Sequence, residues 1–328
     1  MDFTDKKMSE KLYIVYGDVT LGVHGKGFDY IFSYQCGGLE SLVRDGREWL
    51  YRAPKPTFWR ALTDNDRGNR FHLRSGMWLS ADMFLDCIDR KVWIDGGEIS
   101  LPTAPENNRY SDREYAKKVK VEFRYETITV PPAQVTVAYE VEADGAINVR
   151  VHYYGKKGLP ELPVFGMRFV MPTKAVSYCY KGLSGETYPD RMAGGERGEY
   201  EISGLPVTKY LVPQDCGMHM ETEWLKVYRN TTLNNVKHKS GTNEGEVFGL
   251  KFEMEGKPFA FSCLPYTAEE LENATHHEEL PPARRTVVSI LGAVRGVGGI
   301  DSWGADVEPA YHVSAEEDIS YAFRIVPV

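Results

Sequence analysis

Val119-Lys120-Val121-Glu122-Phe123-Arg124-Tyr125, Gln134-Val135-Thr136-Val137-Ala138-Tyr139-Glu140-Val141 and Ile147-Asn148-Val149-Arg150-Val151-His152-Tyr153 each put an apolar residue at every second position. A period of two is the side-chain period of a strand, so each run has one face for a core and one for water. Turn formers separate them, Pro131-Pro132 and Asp144-Gly145, which makes three successive antiparallel strands. Residues 164–171 continue the series, and His152, alternating with valines, reads as a surface or satisfied histidine rather than a metal ligand. Upstream, residues 12–16 and 28–32 read as strands joined through Gly22, Gly25 and Gly27, and Asp45-Gly46 turns one hairpin. Downstream, strand signals lie at 225–228, 247–252, 259–262, 286–291 and 319–325. Helix is scarce. Trp78, Met83, Phe84 and Ile88 predict one short amphipathic helix within 73–90, and Thr267 with Glu270 forms a capping box opening another that ends by His276-His277. Many strands, long decorated loops and little helix define an all-β chain, an antiparallel sandwich larger than an immunoglobulin domain.

With 328 residues, 42% hydrophobic and 26% charged, a large core is available. Residues 1–11 form a polar leader and 12–328 are expected to be one domain. There is no run of about 18 apolar residues and no apolar signal region, so a cytoplasmic location without membrane contact is expected. Cys36, Cys87, Cys179, Cys216 and Cys263 lack C-x-x-C spacing and read as reduced thiols. A net charge of −8 argues against nucleic acid and leaves neutral or cationic ligands, or proteins, as partners.

Two loops are dense in chemistry. Arg295-Gly296-Val297-Gly298-Gly299-Ile300-Asp301-Ser302-Trp303-Gly304 places a large flat ring among glycines. Two roles fit it: a plug at the end of the sandwich, or a platform offered to a ligand. In 54–70, Asp64-Asn65-Asp66-Arg67-Gly68 is one ligand position short of a calcium loop and lacks its final glutamate, so an EF-hand is rejected. The carboxylates either bond neighbouring amides and arginines or meet a ligand. Tyr188-Pro189-Asp190-Arg191 reads as a rigid turn held by an Asp–Arg pair. His219 and Glu221 lie on one side of an extended segment, a pair more often structural than catalytic.

Together, Thr57-Phe58-Trp59-Arg60-Ala61 with Thr63-Asp64-Asn65-Asp66, Tyr188-Pro189-Asp190-Arg191, Tyr266-Thr267-Ala268-Glu269-Glu270-Leu271, and Gly296-Val297-Gly298-Gly299 with Asp301-Ser302-Trp303-Gly304 resemble the C-terminal domain of the large lactose-hydrolysing β-galactosidases of glycoside hydrolase family 2. Their order is most similar to the small subunit of the two-chain form. The resemblance runs from about residue 12 to 328. It implies a galactose mutarotase-like β-supersandwich docked on a TIM-barrel large subunit. That partner would carry both catalytic glutamates and a magnesium ion, leaving this chain with no catalytic residue and no cofactor or metal of its own. It further implies that Trp303, with Asp301 and Ser302, meets a β-galactoside or galactose, and that Asp66, Arg67 and Gly68 begin a mobile loop bordering the same site. Ile300 departs from the pattern, which usually has a second acidic residue there.

Two other classes compete. A stand-alone mutarotase-like epimerase needs a Glu and a His converging in one cleft, for which His219 with Glu221 is the only tempting pair. The other is a carbohydrate-binding module with no enzyme partner. An obligate partner predicts a large apolar docking face, and self-association of the isolated chain through it.

Overall fold

The computed structural model describes residues 11–101, 114–234, 239–300 and 304–328. Among these, strands assemble into three antiparallel sheets of six, ten and five strands. The six-stranded sheet runs, edge to edge, Arg47–Glu48, Gly38–Arg44, Phe28–Ser33, Thr20–Gly25, Leu12–Tyr16 and Tyr115–Ala116. The ten-stranded sheet runs Arg197–Ser203, Ser177–Leu183, Trp224–Asn234, Lys239–Met254, Ile319–Pro327, Ile147–Tyr154, Gln134–Glu142, Lys118–Glu126, Asp86–Ile94 and Gly97–Ile99. The five-stranded sheet runs Met218–Thr222, Phe259–Leu264, Thr286–Val294, Val164–Met171 and Arg52–Thr57.

Register follows the sequence pattern. Val121 pairs with Tyr139 and Phe123 with Val137, while Tyr139 pairs with Val149 and Val137 with Val151; all six are buried. A slip by one residue would turn each of these side chains to water, at about 1.5–3 kcal/mol apiece. The ten-stranded sheet is the common layer of the core. Phe32 of the six-stranded sheet meets Tyr139 at 5.7 Å, and Phe169 of the five-stranded sheet meets Phe252 at 5.2 Å. The polar partners of the alternation face outward in ion pairs such as Lys118–Glu140, Lys120–Glu122, Arg150–Glu255 and Lys181–Glu223. Exposed pairs add little stability, but they keep this broad face hydrated. Asp45-Gly46 makes the expected hairpin turn, both residues at positive φ (47° and 72°).

Two expectations are corrected. The strands at 12–16 and 28–33 are not joined directly, because Thr20–Gly25 forms a further strand between them. Residues 73–90 are not one amphipathic helix. The helix Phe71–Ser75 passes into a single 3-10 turn, Gly76–Trp78, and Asp86–Ile94 is a strand on Lys118–Glu126. Only Trp78 of the four apolar residues reaches the core, so their spacing was not a buried stripe. No helix of the described residues is long and apolar enough to cross a membrane.

Candidate functional site

Thr63-Asp64-Asn65-Asp66 is a capping box, and it opens a helix of one turn, Asp64–Gly68. The Thr63 hydroxyl accepts from the Asp66 amide, and the Asp66 carboxylate accepts from the Thr63 amide at 2.9 Å. Five residues carry no apolar period, so the hydrophobic pattern could not reveal this helix; the Thr-x-x-Asp signature could.

Asp66 is fully buried. Its Oδ2 accepts from Arg60 Nη1 at 2.6 Å and its Oδ1 from Arg295 Nη1 at 3.2 Å. Both guanidiniums are buried as well; Arg295 also pairs with Glu161 and Asp306 and lies over the Phe71 ring at 4.4 Å. Burial works against the Asp66 charge, but Arg60 and the Thr63 amide outweigh it and hold its carboxyl below the usual range. Burial likewise works against the Arg60 charge, and Asp66 reverses that too. Of the two roles open to Asp66, the carboxylate serves the internal one: it ties 60–66 to the start of the glycine loop.

The Tyr-Pro-Asp-Arg turn grips the same loop. The Asp190 carboxylate, with almost no exposed surface, accepts from the amides of Val297 at 3.0 Å and Gly298 at 2.8 Å. Arg191 donates to the Gly298 carbonyl, Asn65 Nδ2 to the same oxygen at 3.2 Å, and Arg60 Nη2 to the Gly296 carbonyl at 3.1 Å. Glycine is required where the loop turns back: Gly299 has φ +74° and a Cβ there would sit 2.3 Å from the Asn65 side chain. On the far side Gly304, at φ +83°, approaches the Gly68 backbone so closely that a Cβ would lie 2.8 Å from it. The described flanks of the loop are thus held by side chains before residue 300 and joined to each other by the Gly299 amide, which donates to the Ala305 carbonyl at 3.0 Å.

The segment that begins with the 266–271 motif braces residues 59–62. Glu272, in the helix Ala268–Asn273, accepts from Trp59 Nε1 at 3.3 Å and the Leu62 amide at 2.7 Å, while Arg168 joins Glu269 to the Trp59 carbonyl. That helix has its expected capping box and ends at Asn273, before His276. Tyr188 donates to Asp215 at 2.8 Å; burial pushes the Asp215 carboxyl up to about 6.

The other predicted residues divide. Arg67, half-buried, donates to the Pro213 carbonyl at 3.0 Å and pairs with Asp64 at 3.1 Å; Gly68 is exposed beside Gly304. Asp301, Ser302 and Trp303 lie outside the described residues, and so do residues 1–10 of the leader. Ile300 is exposed. His219 and Glu221 do not share a cleft. A register shift between His219 and Thr222 breaks the alternation; His219 is buried against Phe261 and 3.2 Å from the Tyr178 hydroxyl, whereas Glu221, at positive φ, pairs with Arg197 at 2.8 Å. Burial pushes the His219 pKa down to about 4, so it is neutral. The sequence reading missed Arg295, Asp306 and the Asp190–loop contact. An arginine between valine and glycine was the available sign, since a buried guanidinium needs an acid partner.

Fold and site define a large antiparallel β protein with a glycine-rich loop gripped at 296–299 by buried ionic and polar side chains. The beta galactosidase small chain family model matches residues 24–325, and the chain belongs to that family. It is 62% identical over 317 residues to a β-galactosidase small subunit from Latilactobacillus sakei, covering 97% of this chain and 98% of that one. β-Galactosidases from Halalkalibacterium halodurans and Streptococcus thermophilus are 33% and 31% identical over 96% and 99% of this chain, which spans 28% of the length of each. A galactose mutarotase related enzyme from Lactobacillus acidophilus overlays with a TM-score of 0.39 at 10% identity, covering 97% of both chains; at that level the sheets themselves define the fold.

Proposed function

We propose that this chain is the small subunit of a two-chain β-galactosidase of glycoside hydrolase family 2, and that its glycine loop completes the sugar site of a catalytic large subunit. The observation that carries this reading is the clamp. Asp190, Arg191, Asn65 and Arg60 hold the loop at 296–299, and beyond residues 301–303 the Ala305 carbonyl accepts from the Gly299 amide at 3.0 Å while Gly304 packs against the Gly68 backbone. A loop whose described flanks are held in this way costs less to order on binding than a free one. In this reading Trp303 is the residue whose ring would take the C–H side of a pyranose, as a flat apolar face does, with Asp301, Ser302, Asp66, Arg67 and Gly68 assigned to the same sugar site. A retaining glycosidase needs one carboxylic acid at the leaving oxygen and a second carboxylate at the anomeric carbon. In this reading both belong to the large subunit, as does its magnesium ion. The substrates are terminal β-D-galactosides such as lactose, cleaved in the cytoplasm.

The test is hydrolysis of a chromogenic β-galactoside by this chain, by the large subunit, and by the two mixed. Full activity is expected only in the mixture. Trp303→Ala should raise KM about ten-fold, the loss of ~1.4 kcal/mol of binding. Full activity of the isolated chain, or a mixture no faster than the large subunit alone, would overturn the reading.

A further inference from the structure

Beside the clamped loop, the segment 73–88 exposes apolar side chains that the fold does not use. Leu73 is 71% exposed, Met83 63% and Phe84 58%, and Met77 and Leu79 are exposed with them. This ridge begins at the clamp itself: Arg74 donates to the Asn69 carbonyl at 2.6 Å and pairs with Asp306 at 3.2 Å. It ends at a groove of about 1070 Å³ whose lining includes Asp82, Met83, Tyr51, Arg52, Lys55, Arg284 and Arg285. The acids in the groove are largely held inside the molecule. Asp82 and Glu269 bind Arg168 at 2.9 and 3.1 Å, and Glu270 accepts from the Thr267 amide at 2.7 Å; Glu40 alone in that lining has no partner among the described residues. The bases are the reverse. Arg52, Lys55, Arg284 and Arg285 have no carboxylate partner among the described residues; Lys55 donates to the Cys36 carbonyl, and Arg285 lies over the Tyr51 ring at 3.6 Å. A chain of net charge −8 thus gathers unpaired positive charge in one groove next to one apolar ridge.

We propose that the ridge and the groove together are the docking surface for the large subunit, which covers Leu73, Met83 and Phe84 with an apolar patch and lays an acidic segment along the arginines. This rests on the small-subunit reading above. Apolar surface rimmed by charge marks a protein contact, and the unpaired cations set the charge of what meets them. A partner that completes the sugar site must arrive beside the loop, where the ridge starts. The outer face of the ten-stranded sheet, with its cross-strand ion pairs, is the face left in water.

Association of the purified chain with the large subunit tests this, measured by titration calorimetry at two salt concentrations. Met83→Asp with Phe84→Asp, and separately Arg284→Glu with Arg285→Glu, should each weaken binding at least about ten-fold. Wild-type affinity should fall with added salt, and the arginine variant should lose most of that dependence. Lys118→Gln, on the hydrated face, should bind as wild type does. All five substituted side chains are at least partly exposed, so unchanged melting temperatures verify that the variants fold. Wild-type affinity in both double variants would overturn the proposal. So would variants that abolish self-association of the isolated chain yet bind the large subunit normally, since the surface would then join copies. A wild-type chain that does not bind the large subunit at all would instead sink the small-subunit reading.

Discussion

Replacing Asp66 by alanine should destabilise the whole chain and leave substrate recognition untouched at the level of direct contact. The carboxylate sits between two buried guanidiniums, 2.6 Å from Arg60 and 3.2 Å from Arg295, and also accepts from the Thr63 amide. Removing it takes from the buried Arg60 its paired carboxylate, from Arg295 one of three acidic partners, and from the helix start half of its capping box. Breaking a buried ion pair from one side costs about 3–5 kcal/mol, and at about 2 °C per kcal/mol for a chain of this size that is a fall of roughly 6–10 °C in melting temperature. Asp66→Asn should cost nearly as much, because the amide keeps the shape and loses the charge. The double variant Arg60→Met with Asp66→Leu should cost less than the sum of the singles. The sign with pH follows from the depressed Asp66 pKa: its stabilisation is complete above the ordinary carboxylate value near 4 and disappears as pH falls through the lower, folded value. Calorimetric scans of wild type and Asp66→Ala, with kcat and KM of the reconstituted enzyme below the melting range, decide the matter. An unchanged melting temperature with a raised KM would refute the strut and make Asp66 a substrate contact.

Asp190→Ala removes the shared acceptor of the Val297 and Gly298 amides. Hydrogen bonds to a charged group are each worth about 1.5–3 kcal/mol, so KM in the assembled enzyme should rise about ten-fold or more and exchange of those two amides should quicken; unchanged exchange would count against the clamp. His219 is buried with its pKa pushed down to about 4, so between pH 6.5 and 4 the unfolded chain binds the extra proton and stability falls as pH falls. His219→Phe, stacked in the same place on Phe261, should lack about 2 kcal/mol of that acid sensitivity between the two pH values, as measured by urea unfolding at pH 7 and pH 5. Equal losses in both proteins would show that His219 does not titrate as argued.

The fold was legible wherever one residue type fixes one geometry. Asp45-Gly46 supplies two positive φ values, and the runs at 119–125, 134–141 and 147–153 carry their register in their own alternation. Thr267 with Glu270 announced a helix. The same signature at Thr63 with Asp66 went unread, because a single turn has no apolar stripe to confirm it. The misread helix at 73–90 is the reverse case: helical spacing was present, but Met83, Phe84 and Ile88 face water, and a period says nothing about burial until there is a core to bury against. At the site, the loop was conspicuous and its supports were not. Asp190 was seen only as a lock on its own turn, while its acceptors point at amides more than a hundred residues further on. Local pattern holds no information on such a meeting.

The strand Ile319–Pro327 lies in the middle of the ten-stranded sheet, between Lys239–Met254 on one side and Ile147–Tyr154 on the other. Its position in the order of synthesis has a cost in time. Until residues 319–327 leave the ribosome, the sheet exists as two halves, each with a bare hydrogen-bonding edge, and pairings this distant in sequence close slowly. A nascent or proteolytically shortened chain is thus a ready template for strand addition by other chains, and shielding by a chaperone during synthesis matters more here than in sheets whose central strands are made before their edges.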